Sequence, residues 1–420
     1  MRKRIHDYIC WVCALCIAFF IPVQGRVLPF IITIMVFNWL FEGRYFTTIP
    51  LFFKEKFRLI TLSLSLIYIL YMIGLFYTTN YSFGIFDGEI KLSLFVFPLL
   101  FATSCDGLFT VRRMEQIMKA FIAGCFAGSL MLLAHAYYAW FNYHNANSFY
   151  YTELSWFFHS TYLSMYYDFA IVILLFRGLL DDKPESNLRK TGYLLLSAFF
   201  VFMVFLLSSK AGILVLSLVC LLTLLFLVMR RRFKKAFVVF LVMSGLFVVG
   251  FTVLSVTAKR FIIATEVMAS DPKKVADSKD GTAERRVIWK ATMDIIQRDP
   301  IVGVGTGDIK DELIQQYKVN GNFIVVERNL NSHNQYLQTF ATLGLPGILT
   351  LLAMLFIPAF LTFRSRHFVY LSFLLIFATN ILFESMFEIQ AGVIFFAFFN
   401  TLLFRSENQK GTISRAPLAN

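Results

Sequence analysis

Twelve apolar runs, each of sixteen or more residues with almost no charge, are strung along the 420-residue chain. Their lengths suit helices crossing a hydrocarbon core of roughly 30 Å. They fall at about 8–23, 27–42, 59–78, 90–105, 116–140, 160–177, 192–208, 211–229, 236–256, 336–362, 368–384 and 389–404. Hydrophobic residues make up 58% of the chain and charged ones 15%, against about 45–50% and about 25% in soluble proteins. A soluble fold has nowhere to hide so much apolar surface. Lipid is therefore the expected solvent, and the expected fold is an all-α polytopic membrane protein.

The positions of the basic residues test this reading. With the N-terminus placed in the cytoplasm and the chain flipped at each run, 24 of the 39 Lys and Arg fall on the cytoplasmic side. They include Lys54, Lys56, the Arg230 to Lys235 cluster, Arg364 and Arg366. Only Arg26, Lys91 and Lys210 fall in short outer loops, and the remaining twelve lie between Thr257 and Gln335. Short cytoplasmic loops are where membrane proteins concentrate positive charge. The expected organisation is nine transmembrane helices in 1–256, a large periplasmic loop over 257–335, three more helices in 336–405 and a cytoplasmic tail over 406–420. The net charge of +13 does not point to nucleic acid, because the bases sit in short clusters between apolar runs. Met1 to Arg4 followed by apolar residues resembles a signal peptide, but no small-residue cleavage site follows, so an uncleaved first helix is expected.

All six cysteines lie in or beside apolar runs. Cys10, Cys13 and Cys16 have a spacing that suits metal thiolates, yet they fall inside the first run with no histidine or second cysteine pair near them. The expectation is that these three are small buried hydrophobes.

The long loop holds twelve bases and eleven acids, so any attraction of a charged ligand must be local. Ser270 to Gly281 reads as flexible. From Thr282 to Gln297, Val287, Ile288, Trp289, Ala291 and Ile295 recur at helical spacing, and Asp299-Pro300 ends the pattern. This predicts an amphipathic helix that lies on the membrane or caps the bundle. Gly303, Gly305 and Gly307 follow, without the strand before or the Gly-Lys-Ser/Thr ending of a nucleotide loop.

His333 stands where the loop enters the tenth run, with Asn331 or Ser332 placed to cap the helix. A helix N-terminus favours anions, and an imidazole exchanges protons near neutral pH. The alternative is a surface histidine that helps to cap. Arg285 and Arg286 open the loop helix as donors suited to a diphosphate or as a basic face at lipid headgroups. Lys210 interrupts two apolar runs at the outer boundary, where a lone cation snorkels or binds an anion, and Lys91 invites the same reading. His159, at the outer end of the sixth run, is a further candidate for an outer pocket or a structural group. No catalytic metal or cofactor is expected, since no metal-binding motif appears outside the membrane.

Three stretches together resemble the O-antigen ligase family, which shares its C-terminal signature with O-antigen polymerases. One runs from Arg285-Arg286-Val-Ile-Trp289 to Asp299-Pro300-Ile-Val-Gly303-Val-Gly305. The second is Ser332-His333-Asn334-Gln335-Tyr336-Leu337-Gln338 with Gly344-Leu-Pro-Gly347 beyond it. The third is Ser208-Ser209-Lys210-Ala211-Gly212, where many members have Ser-Arg-Gly. The resemblance implies a metal-independent glycosyltransferase of the bacterial inner membrane with its active site facing the periplasm. Its donor would be a polysaccharide on undecaprenyl diphosphate and its acceptor a hydroxyl of lipid A core. Catalytic roles then fall on His333, as general base, and on Arg285; Arg286, Lys210, Lys91, His159 and Asn334 would bind substrate. Lys210 departs from the family's usual arginine. A polymerase using the same carrier is the nearest alternative. A lipid or glycan transporter also fits twelve helices, but no clear inverted repeat is present and few charges lie within the runs.

Overall fold

The computed structural model describes residues 2–45, 47–48, 58–253, 262, 281–365 and 367–413. Ser270 to Asp280 and the bases Lys54, Lys56 and Arg366 lie outside the described residues. Among the described residues the regular structure is helical. The principal helices are α1 (Arg2–Phe20), α2 (Leu28–Glu42), α3 (Arg58–Ile73), α4 (Tyr81–Lys91), α5 (Ser93–Thr103) and α6 (Val111–Tyr143). They continue with α7 (Ser160–Leu175), α8 (Asn187–Leu206), α9 (Lys210–Met229), α10 (Phe233–Val253) and α11 (Gly281–Arg298). The last four are α12 (Ile309–Val319), α13 (Gln335–Ser365), α14 (Phe368–Asn380) and α15 (Gln390–Ile413).

Each of the twelve apolar runs contains a helix. Among the described residues, seven helices are long and apolar enough to cross a membrane, and Thr61–Tyr77, Phe368–Asn380 and Gln390–Ser406 are shorter apolar helices. The chain is thus a multi-pass membrane protein by length and composition. The expected fourth span departs most from the reading of the sequence. Regular helical hydrogen bonding is interrupted at Leu92, which keeps helical dihedrals (φ −53°, ψ −32°), between α4 and α5, and Pro98 lies inside α5. Eleven helical residues rise only about 16 Å.

The chain divides into two compact units. The first comprises Met1–Gly124, Val287–Tyr370 and Glu384–Asn420. Its apolar centre is built on α15, which is buried on every side from Val393 to Phe404, as its almost charge-free sequence requires. Phe398 meets Phe97 of α5 edge-on at 5.4 Å between ring centroids, and Phe399 meets Phe121 of α6 at 4.9 Å. Cys10 and Cys105 are joined by a disulfide, which corrects the expectation that Cys10 is a simple buried hydrophobe. Cys10 lies on the buried face of α1, which packs on the turn Asp106–Phe109, and this brings together two thiols 95 residues apart. Cys13, Cys16, Cys125 and Cys220 are free.

A second core in the same unit explains the amphipathic loop helix. Ile288, Ala291 and Ile295 of α11 are buried with Ile309, Leu313 and Tyr317 of α12 and Ala341 of α13. The apolar stripe of α11 therefore rests on protein. Asp308, just before α12, binds the start of α4: its carboxylate accepts from the backbone N–H groups of Thr79 and Asn80 and from the Thr78 hydroxyl at 2.7–2.9 Å. Burial pushes the Asp308 carboxyl up, but these donors outweigh burial and hold it below the usual carboxylate range.

The glycine motifs form a clasp in this unit. Helix α13 is broken at Gly344 (φ 61°, ψ −154°), and the glycine-rich loop docks on the break. The Val304 and Gly305 N–H groups donate to the carbonyls of Ala341 and Thr342, and the Leu345 N–H donates to Pro300 and Ile301, all at 3.0–3.1 Å. Gly303 and Gly344 both have positive φ, and a Cβ on either would strike the backbone across the clasp. Two chains pass too closely there for any side chain. Gly344→Ala is expected to cost at least ~1–3 kcal/mol from backbone strain alone. The effect would be seen as a lower unfolding temperature of the purified protein in detergent, and an unchanged temperature would contradict the clasp.

The second unit comprises Cys125–Arg286 and Leu371–Phe383. Its axis is α7, all sixteen residues of which are buried. Tyr167 stacks on Phe200 of α8 at 5.4 Å, Phe169 meets Phe373 of α14 at 5.1 Å, and Gly212 lets α9 approach Ser164. Beyond α7, Arg177 pairs with Asp181 at 2.7 Å and Glu185 at 3.1 Å. Arg230 and Arg232 donate to the carbonyls of Leu180 and Leu179 at 2.6 and 3.0 Å. This basic cluster closes a helix C-terminus as well as carrying charge.

Candidate functional site

In the first unit, His333 sits in a polar turn whose geometry is set residue by residue. Its backbone occupies the left-handed region at φ 43°, uncommon for a residue with a side chain and a conformation that neighbouring contacts must hold. Those contacts are present. The His333 N–H donates to Asn331 Oδ1 at 3.0 Å, and the Ser332 N–H donates to Gln338 Oε1 at 3.1 Å. The cap of α13 is Asn334, whose Oδ1 accepts from the Leu337 N–H at 3.1 Å. The helix thus uses neither Asn331 nor Ser332, the caps expected from sequence, because it begins after His333.

A segment ahead of α15 docks in register on this turn. Glu384 Oε1 stands 3.0 Å from His333 Nδ1, Ser385 Oγ accepts from the Asn334 N–H at 3.2 Å, and Gln335 Oε1 accepts from the Phe387 N–H at 2.7 Å. Glu384 is 5% exposed. A carboxylate has no proton to give, so the imidazole donates from Nδ1 and its acceptor lone pair is on Nε2. This arrangement orients the imidazole.

Glu384 was not among the residues read from the sequence. The signal that marks it is an acid closing the apolar run Ile381-Leu382-Phe383, a costly place for a charge without a partner.

In the second unit, the predicted cations converge. Ser209 caps α9 by accepting from the Gly212 N–H at 3.2 Å, which sets Lys210 at the first turn. Lys210 Nζ donates to Thr282 Oγ1 at 2.9 Å. Thr282 is one helical turn before Arg285 and Arg286 on α11, so residues 72 or more positions apart gather at one helix start. Arg285 donates from Nε to the Phe383 carbonyl at 3.1 Å and from its terminal nitrogen to Gly281 O at 3.3 Å. His159 is exposed and caps α7, its Nδ1 accepting from the Thr161 N–H at 3.4 Å.

Lys91 differs from its reading as a lone boundary cation. It ends α4 and is fully buried, paired with Asp87 one turn earlier and with Glu388 at 3.2 Å, and lies 4.6 Å over the Tyr71 ring. Removing one partner from such a buried cluster strands the others. Among the described residues, no three His, Cys, Asp or Glu side chains stand close enough to share a metal ion.

Fold and site together define a class: an all-helical multi-pass membrane protein with an acid-bound histidine where a polar segment enters an apolar helix. No curated protein matches the chain. The O-antigen ligase family model matches residues 195–352. The matched stretch contains Lys210, Arg285, Arg286, His333 and Asn334 and both glycine motifs of the clasp; Lys91, His159 and Glu384 lie outside it. Members of that family are glycosyltransferase-like enzymes of the ligase or polymerase kind.

Proposed function

We propose that the protein is an O-antigen ligase, transferring polysaccharide from undecaprenyl diphosphate to a hydroxyl of lipid A core at the periplasmic face of the bacterial inner membrane. The observation that carries this reading is the 3.0 Å contact between His333 Nδ1 and Glu384, within a turn whose histidine falls in the family's matched region. Diphosphate is a good leaving group, so the enzyme has two tasks: to bind its charge and to activate the acceptor oxygen. His333 Nε2 takes the proton of the acceptor hydroxyl as that oxygen attacks the anomeric carbon. The bond from the anomeric carbon to the diphosphate breaks, and its electron pair leaves with the phosphate. Direct attack inverts the anomeric configuration. Arg285 and Arg286 supply fixed, always-charged donors to the diphosphate, with Lys210 as a point charge beside them. No step calls for a metal or cofactor.

A polymerase that joins glycan units on the same carrier shares this chemistry and differs in its acceptor. Deleting the gene and examining the lipopolysaccharide separates the two. Ligase loss leaves bare lipid A core while carrier-linked polymer accumulates. Short units still attached to the core identify a polymerase, and an unchanged ladder overturns both.

A further inference from the structure

The first unit holds a cleft that the mechanism above does not use, with a volume of about 170 Å³. It runs between α4, α12 and the start of α13. Its lining includes Phe86, Asp87, Lys310, Asn331, Gln338 and Glu388. Phe86 is 56% exposed, a broad ring left open beside carboxylates and amides.

We infer that this cleft is the acceptor-saccharide subsite and that it selects a neutral sugar; the inference rests on the ligase reading above. A pyranose presents hydroxyls around its rim and an apolar C–H face. Carboxylates and the carbonyl side of an amide accept from hydroxyls, amide NH₂ groups donate to them, and an aromatic ring covers the C–H face. The lining supplies all three. Lys91 fixes Asp87 and Glu388 in place from behind, so the accepting groups are preorganised. Asp87 and Glu388 are balanced by Lys91 behind them and Lys310 in the lining, so the cleft carries no net charge. This suits a neutral sugar and sets its ligand class apart from that of the arginines assigned to the donor.

Two residues of the lining also hold the His333 turn. Asn331 lines the cleft and also accepts the His333 N–H, while Gln338 lines it and holds the Ser332 N–H. A sugar seated there lies beside the turn that carries the base.

The test uses the full chain in phospholipid nanodiscs, with carrier-diphosphate-linked glycan as donor and lipid A core as acceptor. Methyl glucoside, galactoside and mannoside are added as inhibitors, with methyl glucuronide as the anionic probe. At least one neutral glycoside is expected to compete with the acceptor and not with the donor, and the glucuronide is expected to be about tenfold or more weaker. Phe86→Ala should raise the acceptor KM about tenfold and leave the donor KM in place; Phe86→Trp, which keeps a ring, should restore the acceptor KM. Competition with the donor, equal inhibition by the glucuronide, no inhibition by any glycoside, or an unaltered acceptor KM in Phe86→Ala overturns the subsite. If the unsubstituted chain fails to transfer glycan at all, it is the ligase reading that falls.

Discussion

Replacing His333 with alanine is expected to slow glycan transfer by ~10²–10⁴-fold, the range that a positioned general base supplies, with the donor KM close to its original value. The reasoning starts at the backbone. His333 is held at positive φ by its neighbours, Asn334 and not His333 caps α13, and Glu384 accepts a hydrogen bond from Nδ1. The imidazole is thus absent from the hydrogen bonds that start the helix, and alanine leaves those bonds intact. The loss should therefore appear in kcat, measured with purified protein at saturating donor and acceptor. A histidine that only supported the fold would instead lower the unfolding temperature and the yield of folded protein. In cells the same substitution should leave lipid A core without long glycan.

Glu384→Gln is expected to lower kcat by ~10²-fold or more, with little change in either KM. The amide is close in shape to the carboxylate, but its NH₂ group can donate to Nδ1 and turn the tautomer the wrong way. Glu384→Asp keeps the charge and should recover part of the rate if the shorter side chain reaches. Combining Glu384→Gln with His333→Ala should cost little more than His333→Ala alone, because the two residues act as one unit. Additive losses in this double-mutant cycle would place Glu384 in a separate role.

The helices were legible because lipid imposes a coarse rule: every apolar run of sufficient length carries a helix, and all twelve runs do. The motif glycines were legible as a pattern but not in purpose. Gly303 and Gly344 are 41 positions apart and explain each other only when the loop lies across the break in α13. Residues with long-range partners were the ones missed. Glu384 lies 51 positions from His333, and Cys105 lies 95 from Cys10; neither pairing leaves a local trace. Lys91 was misjudged for a related reason. Asp87, one turn before it, was visible, but Glu388 approaches from the far end of the chain, and together they turn a boundary cation into a buried one. The cap of α13 moved by two or three residues because Asn331, Ser332 and Asn334 are all capable caps, and only the docked segment 384–388 decides among them.

The most direct measurement is chemical rescue of the His333→Ala protein. Transfer from the carrier-linked glycan to lipid A core would be followed while imidazoles of graded basicity are added. A missing general base predicts that the rate recovers and that stronger bases rescue better at equal concentration. A His333→Ala protein that transfers glycan at the unsubstituted rate, or rescue that is the same for strong and weak bases, would contradict the proposed role of the histidine.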